Sequence, residues 1–233
     1  MAEPIVFLPG MMCDARLFGP QTAALSGRHA IHHAPLTKGE TISELAQSVL
    51  THTPPRFALA GLSMGGIVAM EIIRQAPERV TRLALLDTNH LPEPQERSAA
   101  RVPQMAAARS GGLEAIMRDE MKPNYLADGP RRAEILDLVM AMALGLGPEV
   151  FVRQSRALQA RRDQSDTLRA ISAPTLVMCG RDDALCDVAR HELIAGLIPG
   201  SEFEIVENAG HLPTLEAPDQ TDRALARWLA RPL

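Results

Sequence analysis

The chain has 233 residues, 46% of them apolar and 22% charged, and a net charge of −4. That length is enough for one sizeable core, as a single domain or a domain carrying an insertion, and the composition excludes a disordered or fibrous chain. The acidic balance lacks the basic face that nucleic acid or an anionic membrane would need, so neither is an expected partner.

Pro4–Leu8 is a short apolar run stopped by Pro9-Gly10, which predicts a buried strand and a tight turn. Ala30–Leu36 is a weaker strand. Thr41–His52 has Ile42, Leu45, Ala46, Val49 and Leu50 on one helical face, with Thr41 or Ser43 to cap it. Arg56–Leu62 predicts a strand, Gly66–Gln75 a helix apolar nearly all round, and Val80–Asp87 another strand. From about His90 to Ala170 only helical patterns occur: Glu96–Ser110, Leu113–Met121, Pro130–Leu144 and Pro148–Arg161. Gly-Gly, Pro-Asn, Asp-Gly-Pro and Gly-Leu-Gly-Pro separate them. Alternation then resumes with Thr175–Cys179 (strand), Asp187–Leu197 (helix), Ser201–Val206 (strand) and Ala217–Ala230 (helix).

Strands alternating with helices predict an α/β fold with a mostly parallel sheet covered on both faces. The expected division is a core of residues 1–89 and 171–233 with a helical cap insertion at 90–170, above the strand ends where such sheets bind ligands. The arginine run Arg153, Arg156, Arg161 and Arg162 reads as a solvated helix face.

Gly61-Leu62-Ser63-Met64-Gly65-Gly66 lies between a strand and a helix. A turn that sharp strains the serine backbone and leaves no room for side chains two residues either side. It presents a hydroxyl at the tip of the sheet, beside a helix N-terminus that favours developing negative charge. Here the chain resembles the α/β-hydrolase family, with Pro4–Asp87 and Pro174–Ala230 matching its core and the middle a helical cap. The resemblance implies that Ser63 is a nucleophile and that the Met64 N–H is one oxyanion donor. The chain starts almost at the strand before Pro9-Gly10, so the antiparallel strands that often open this fold are not expected, leaving about six strands.

A serine hydroxyl is a weak nucleophile and needs a base. Among seven histidines, His211 follows the last strand in Asn208-Ala209-Gly210-His211 and resembles the family's closing Gly-His element. His90, at a strand end, could also face the pocket. His29, His32, His33 and His52 lie on surface-like segments, and His191 reads as a solvated helix residue. The acid that orients the base is expected in Gly180-Arg181-Asp182-Asp183. Family members place it three residues after this glycine, which selects Asp183; Asp182 is the alternative and Asp87, at another strand end, a further substitute. The second oxyanion donor is expected in the loop after the first strand, at Met11 or failing that Met12.

These residues imply a carboxylesterase-like serine hydrolase acting through Ser63, His211 and Asp183 on a small or medium, mostly apolar and uncharged ester. The family also contains enol-lactonases, C–C hydrolases, haloperoxidases and acyltransferases, and a non-catalytic ligand-binding protein on the same fold is a further alternative. Met105, Met117, Met121, Met140 and Met142 could line the pocket, although core packing explains each. No cofactor is expected and no metal, because no His, Asp and Glu cluster has ligand spacing. Cys13, Cys179 and Cys186 are odd in number and read as free thiols. With no leader-like start and no membrane-length apolar run, the expectation is a cytoplasmic monomer or weak homodimer with a small-molecule substrate.

Overall fold

The computed structural model describes residues 2–233. Its strands are β1 (Ile5–Leu8), β2 (Ile31–His33), β3 (Phe57–Leu62), β4 (Val80–Leu86), β5 (Thr175–Gly180) and β6 (Glu202–Val206). They form one six-stranded sheet in the order β2-β1-β3-β4-β5-β6, and every neighbouring pair is parallel. This is the parallel sheet of about six strands that the sequence predicts.

Successive strand residues feed two cores, as the period of two requires. Val6, Leu8, Leu59, Leu83, Leu85 and Val177 point to one. Ile5, Phe7, Ala58, Ala60, Leu86 and Met178 point to the other.

In chain order the helices are α1 (Gly19–Leu25), α2 (Ile42–His52), α3 (Met64–Gln75), α4 (Gln95–Ala107), α5 (Leu113–Ala115), α6 (Arg132–Leu146), α7 (Pro148–Gln159), α8 (Ser165–Arg169), α9 (Val188–Leu197), α10 (Pro213–Glu216) and α11 (Pro218–Ala230). The first core is closed by α2, α3 and α9, the second by α1 and α11. The sequence reading misses α1, α8 and α10, which are too short to show a periodic face. In α1 the Gly19-Pro20 pair looks like a breaker, but proline in the first turn starts a helix. Helix α2 is capped by Thr41: its hydroxyl accepts the Glu44 N–H (3.1 Å) while the Glu44 carboxylate accepts the Thr41 N–H (3.2 Å).

Between β4 and β5 the chain is helical. It bends at Ser110 and Gly111, and α6 meets α7 at 96° across Gly147, whose φ is +81°. No single helix among the described residues is long and apolar enough to cross a membrane. The far end of this segment is tied to the sheet through Glu71 of α3. Its buried carboxylate accepts from Arg74, from Gln75 and, across 93 residues, from Gln164 (3.0 Å). Burial works against ionisation, but those donors hold the Glu71 pKa at about 2.

His191 corrects the sequence reading. It is fully buried on α9 rather than solvated. Its Nδ1 lies 3.0 Å from the Asp187 carbonyl, and its Nε2 accepts the Thr88 N–H at 2.9 Å. Burial pulls its pKa down, so the ring is the neutral tautomer that these partners require. The helix turns this face to the end of β4, where polar backbone rather than water awaits it.

Candidate active site

The strand order reverses direction between β1 and β3, with β2 on one side and β4 on the other. Open parallel sheets leave a crevice at such a switch point, past the C-terminal strand ends. The loops after β1 and β3 border it.

Ser63 joins β3 to α3 with φ +55° and ψ −116°, a strained conformation for a side-chain-bearing residue. Its N–H donates to the Leu86 carbonyl (2.9 Å), and its own carbonyl accepts from the Thr88 hydroxyl (2.7 Å). The flanking glycines are sterically obligatory. A Cβ on Gly61 would sit 2.3 Å from the Gly65 carbonyl oxygen, and one on Gly65 would sit 2.1 Å from that of Leu8.

His211 Nε2 lies 2.9 Å from Ser63 Oγ, and its Nδ1 lies 2.8 Å from Asp183 Oδ2. The three side chains come from the ends of β3, β5 and β6 and form one continuous hydrogen-bonded chain. Asp183 is buried, and its Oδ1 accepts the N–H groups of Leu185 (2.8 Å) and Cys186 (3.0 Å). Burial alone would raise its pKa, but the His211 ring and these donors outweigh it and hold the carboxyl below its ordinary range.

The loop bearing His211 is fixed by residues that the sequence reading did not single out for this role. The His211 N–H donates to the Tyr125 carbonyl at 2.7 Å. The Glu216 carboxylate accepts three N–H groups, from Ala127 (2.8 Å), Gly210 (3.0 Å) and Leu212 (2.9 Å). An acid five residues after a loop histidine is a faint signal, since its partners are set only by the fold.

The alternatives separate clearly. Asp182 is exposed and contributes a backbone N–H to Ala209. Asp87 is fully buried, and its Oδ1 accepts the Gly180 N–H at 2.9 Å. Burial and then the Asp183 charge push its pKa well up, which favours the neutral acid. His90 is buried, and its carbonyl accepts the Gln164 N–H. The Met12 N–H is already donated to Gln154 Oε1 (2.8 Å). Among the described residues no protein acceptor engages the N–H of Met11 or Met64, so both remain available where Ser63 meets the crevice.

A cavity of about 330 Å³ opens over Ser63 and His211, walled by the strand-end loops and by the helical segment. Met11, Ile67, Tyr125 and Leu158 give it apolar surface, while Arg97, Arg101 and Arg161 bring charge. Of the candidate methionines only Met121 lines it; Met117 and Met142 are fully buried in the two cores. Arg161 also departs from expectation, since it is buried rather than solvated.

Among the described residues one grouping has the spacing of metal ligands: Asp183, Cys186 and His211, with donor atoms within 4.8 Å of one another. Asp183 and His211 already serve the hydrogen-bonded chain. Burial, and then the charges of Asp183 and Asp87, push the Cys186 thiol far up.

A parallel sheet with these loops at its switch point is an α/β scaffold with a ligand crevice at its strand ends. A family profile described as alpha/beta hydrolase family matches residues 5–224, and the chain belongs to that family. It is 27% identical over 218 residues to a pimeloyl-(acyl-carrier protein) methyl ester esterase of Aromatoleum aromaticum, covering 85% of this chain and 82% of that protein. Among solved structures, a thermophilic esterase from Thermogutta terrifontis with malate bound superposes with a TM-score of 0.90 at 27% identity, covering 97% of this chain and 89% of that one. The enol-lactonase from Burkholderia xenovorans gives a TM-score of 0.86 at 25% identity, covering 98% and 92%.

Proposed function

We propose that the protein is a serine hydrolase that cleaves a small or medium, mostly apolar ester through an acyl-enzyme. The observation that carries this reading is the Ser63–His211–Asp183 chain, with links of 2.9 and 2.8 Å at the mouth of a cavity. The names of the three relatives above, two esterases and an enol-lactonase, support ester chemistry, although other relatives are named putative carbamate hydrolases; lactones belong in any substrate panel because a lactone is a cyclic ester.

In this mechanism Ser63 Oγ attacks the ester carbonyl carbon while His211 Nε2 takes the hydroxyl proton. The carbonyl electron pair moves onto oxygen, where the N–H groups of Met11 and Met64 receive the charge, each contributing on the order of 3 kcal/mol. The tetrahedral adduct collapses, the C–O bond to the alcohol breaks, and the alkoxide leaves with the proton from His211. Water then attacks the acyl-enzyme with His211 again as base, releasing the acid and restoring Ser63. Asp183 accepts from Nδ1–H throughout, fixing the tautomer and stabilising the imidazolium.

A fluorophosphonate should label the wild type at Ser63 and leave Ser63→Ala unlabelled, with a p-nitrophenol burst from short acyl esters lost in the same variant. Equal labelling of both proteins would overturn the assignment.

A further inference from the structure

The cavity beside Ser63 holds more buried positive charge than its own acids neutralise. Arg101 of α4 donates from Nε to Glu93 Oε2 (2.9 Å) and from Nη2 to Oε1 (3.3 Å). Arg161, just beyond α7, brings Nη1 to 3.6 Å from the same carboxylate and gives its Nε to the Leu91 carbonyl (3.0 Å). The side chains of Glu93 and Arg161 are 1% and 7% exposed. One carboxylate therefore serves two enclosed guanidiniums. Arg97, one turn before Arg101 on α4, lines the same cavity and has no ion-pair partner among the described residues. The remaining acid on the wall, Glu120, is exposed and accepts from Gln104 at 2.7 Å.

Charge taken out of water without a counter-ion is costly, and the cost is relieved when a ligand supplies the missing anion. Burial, and then the neighbouring charges of Arg101 and Arg97, pull the Arg161 pKa down against the support of Glu93. The guanidinium fork matches a carboxylate in two parallel hydrogen bonds. Arg101 Nη1 also lies 3.5 Å from the Met11 sulfur, so the cluster adjoins the loop that borders Ser63.

We propose that Arg97, Arg101 and Arg161 bind a free carboxylate carried by the substrate. The ester presented to Ser63 is then one of a dicarboxylic or hydroxycarboxylic acid whose remaining acid group is unesterified. This deepens the hydrolase reading and rests on it for the chemistry, although the carboxylate site stands on the arginines alone. It replaces the uncharged substrate expected from the sequence with an apolar chain ending in one negative charge.

The test compares monomethyl esters of four- to eight-carbon diacids with the matching dimethyl esters, and acyl esters of hydroxy acids with their carboxyl-methylated forms, by kcat/KM. At the best spacing the free carboxylate should be preferred about 10- to 100-fold. In Arg97→Gln that ratio should fall to within about threefold. Arg97 is exposed on its helix, so this variant should fold, as a thermal melt would verify. Arg161→Gln, which leaves the Arg101–Glu93 pair in place, should lower the ratio as well. Equal kcat/KM for charged and neutral partners at every spacing would overturn the proposal while leaving the hydrolase reading intact. If no ester turns over, calorimetry with the free diacids decides. Binding by the wild type that weakens in Arg97→Gln upholds the carboxylate site without the hydrolase, and no binding by either protein ends it.

Discussion

The strand-end loops and the helices that cover them are built on different terms. Around Ser63 the backbone itself is constrained: all six residues of β3 are buried, and a Cβ at Gly61 or Gly65 would run into a main-chain carbonyl. Helix α4, which carries Arg97 and Arg101, buries none of its residues. Val102 on α4 and Leu144 on α6 are 59% and 45% exposed. The contrast separates labour: the sheet edge fixes Ser63 through main chain and close packing, and the covering helices reach the cavity through side chains.

Changes at the sheet edge should therefore be severe and changes in the cover graded. The largest effect in this set is expected for Asp183→Asn, about 10⁴-fold in kcat, because the amide can hold the wrong His211 tautomer. Asp182→Asn should stay within about twofold, since that side chain is exposed. The reverse ranking in a steady-state assay would move the acid to residue 182. Gly65→Ala should cost about 3 kcal/mol or more, read as a denaturant midpoint, because the Leu8 carbonyl cannot yield without disturbing β1. Gly129→Ala, in the cover, meets nothing within 4 Å and should shift stability by no more than about 0.5 kcal/mol. Comparable losses in the two would erase the distinction.

Two acids extend the comparison to pH. Glu71, which ties the cover to α3, has its pKa held at about 2 from an ordinary 4.5. A depressed folded pKa adds stability that is present above pH 4.5 and lost as the pH falls towards 2. Glu71→Gln should remove that part of the acid limb, on the order of 2–3 kcal/mol of pH-dependent stability. An unchanged slope in Tm between pH 5 and about 2 would show that Glu71 is not held ionised. Asp87 shifts the other way: the folded state keeps its proton, so its contribution is full at low pH and declines as the pH rises above about 4. Asp87→Asn, which retains an acceptor for the Gly180 N–H, should have little effect near pH 4 and gain in Tm relative to wild type towards pH 8. The gain should be about 2–4 °C per kcal/mol. A flat difference across that range would mean that Asp87 is ionised beside Asp183.

The same contrast explains what the sequence could reveal. The inner strands are legible because burial on both faces writes nearly continuous apolar runs, as in Phe57–Leu62, whereas the edge strands β2 and β6 are only partly buried and leave a fainter pattern. The Ser63 turn is legible because its geometry tolerates only glycine at 61 and 65. His211 and Asp183 could be expected at strand ends, and the structure brings their side chains to Ser63. The pocket wall was not legible. Arg97, Arg101 and Arg161 look like solvated helix charges in one dimension, and only the fold brings Arg161 to the same carboxylate as Arg101. His191 was misread for the same reason: a helix with little apolar periodicity does not announce which side meets the sheet.

Glu216 has a consequence for how the two regions move. One carboxylate grips Gly210 and Leu212, on either side of His211, and also Ala127 in the cover, while the Tyr125 carbonyl holds the His211 amide. The stretch from 125 to 127 cannot swing away from the sheet without loosening the mooring of the imidazole. Displacing the cover at this point would therefore also displace the imidazole.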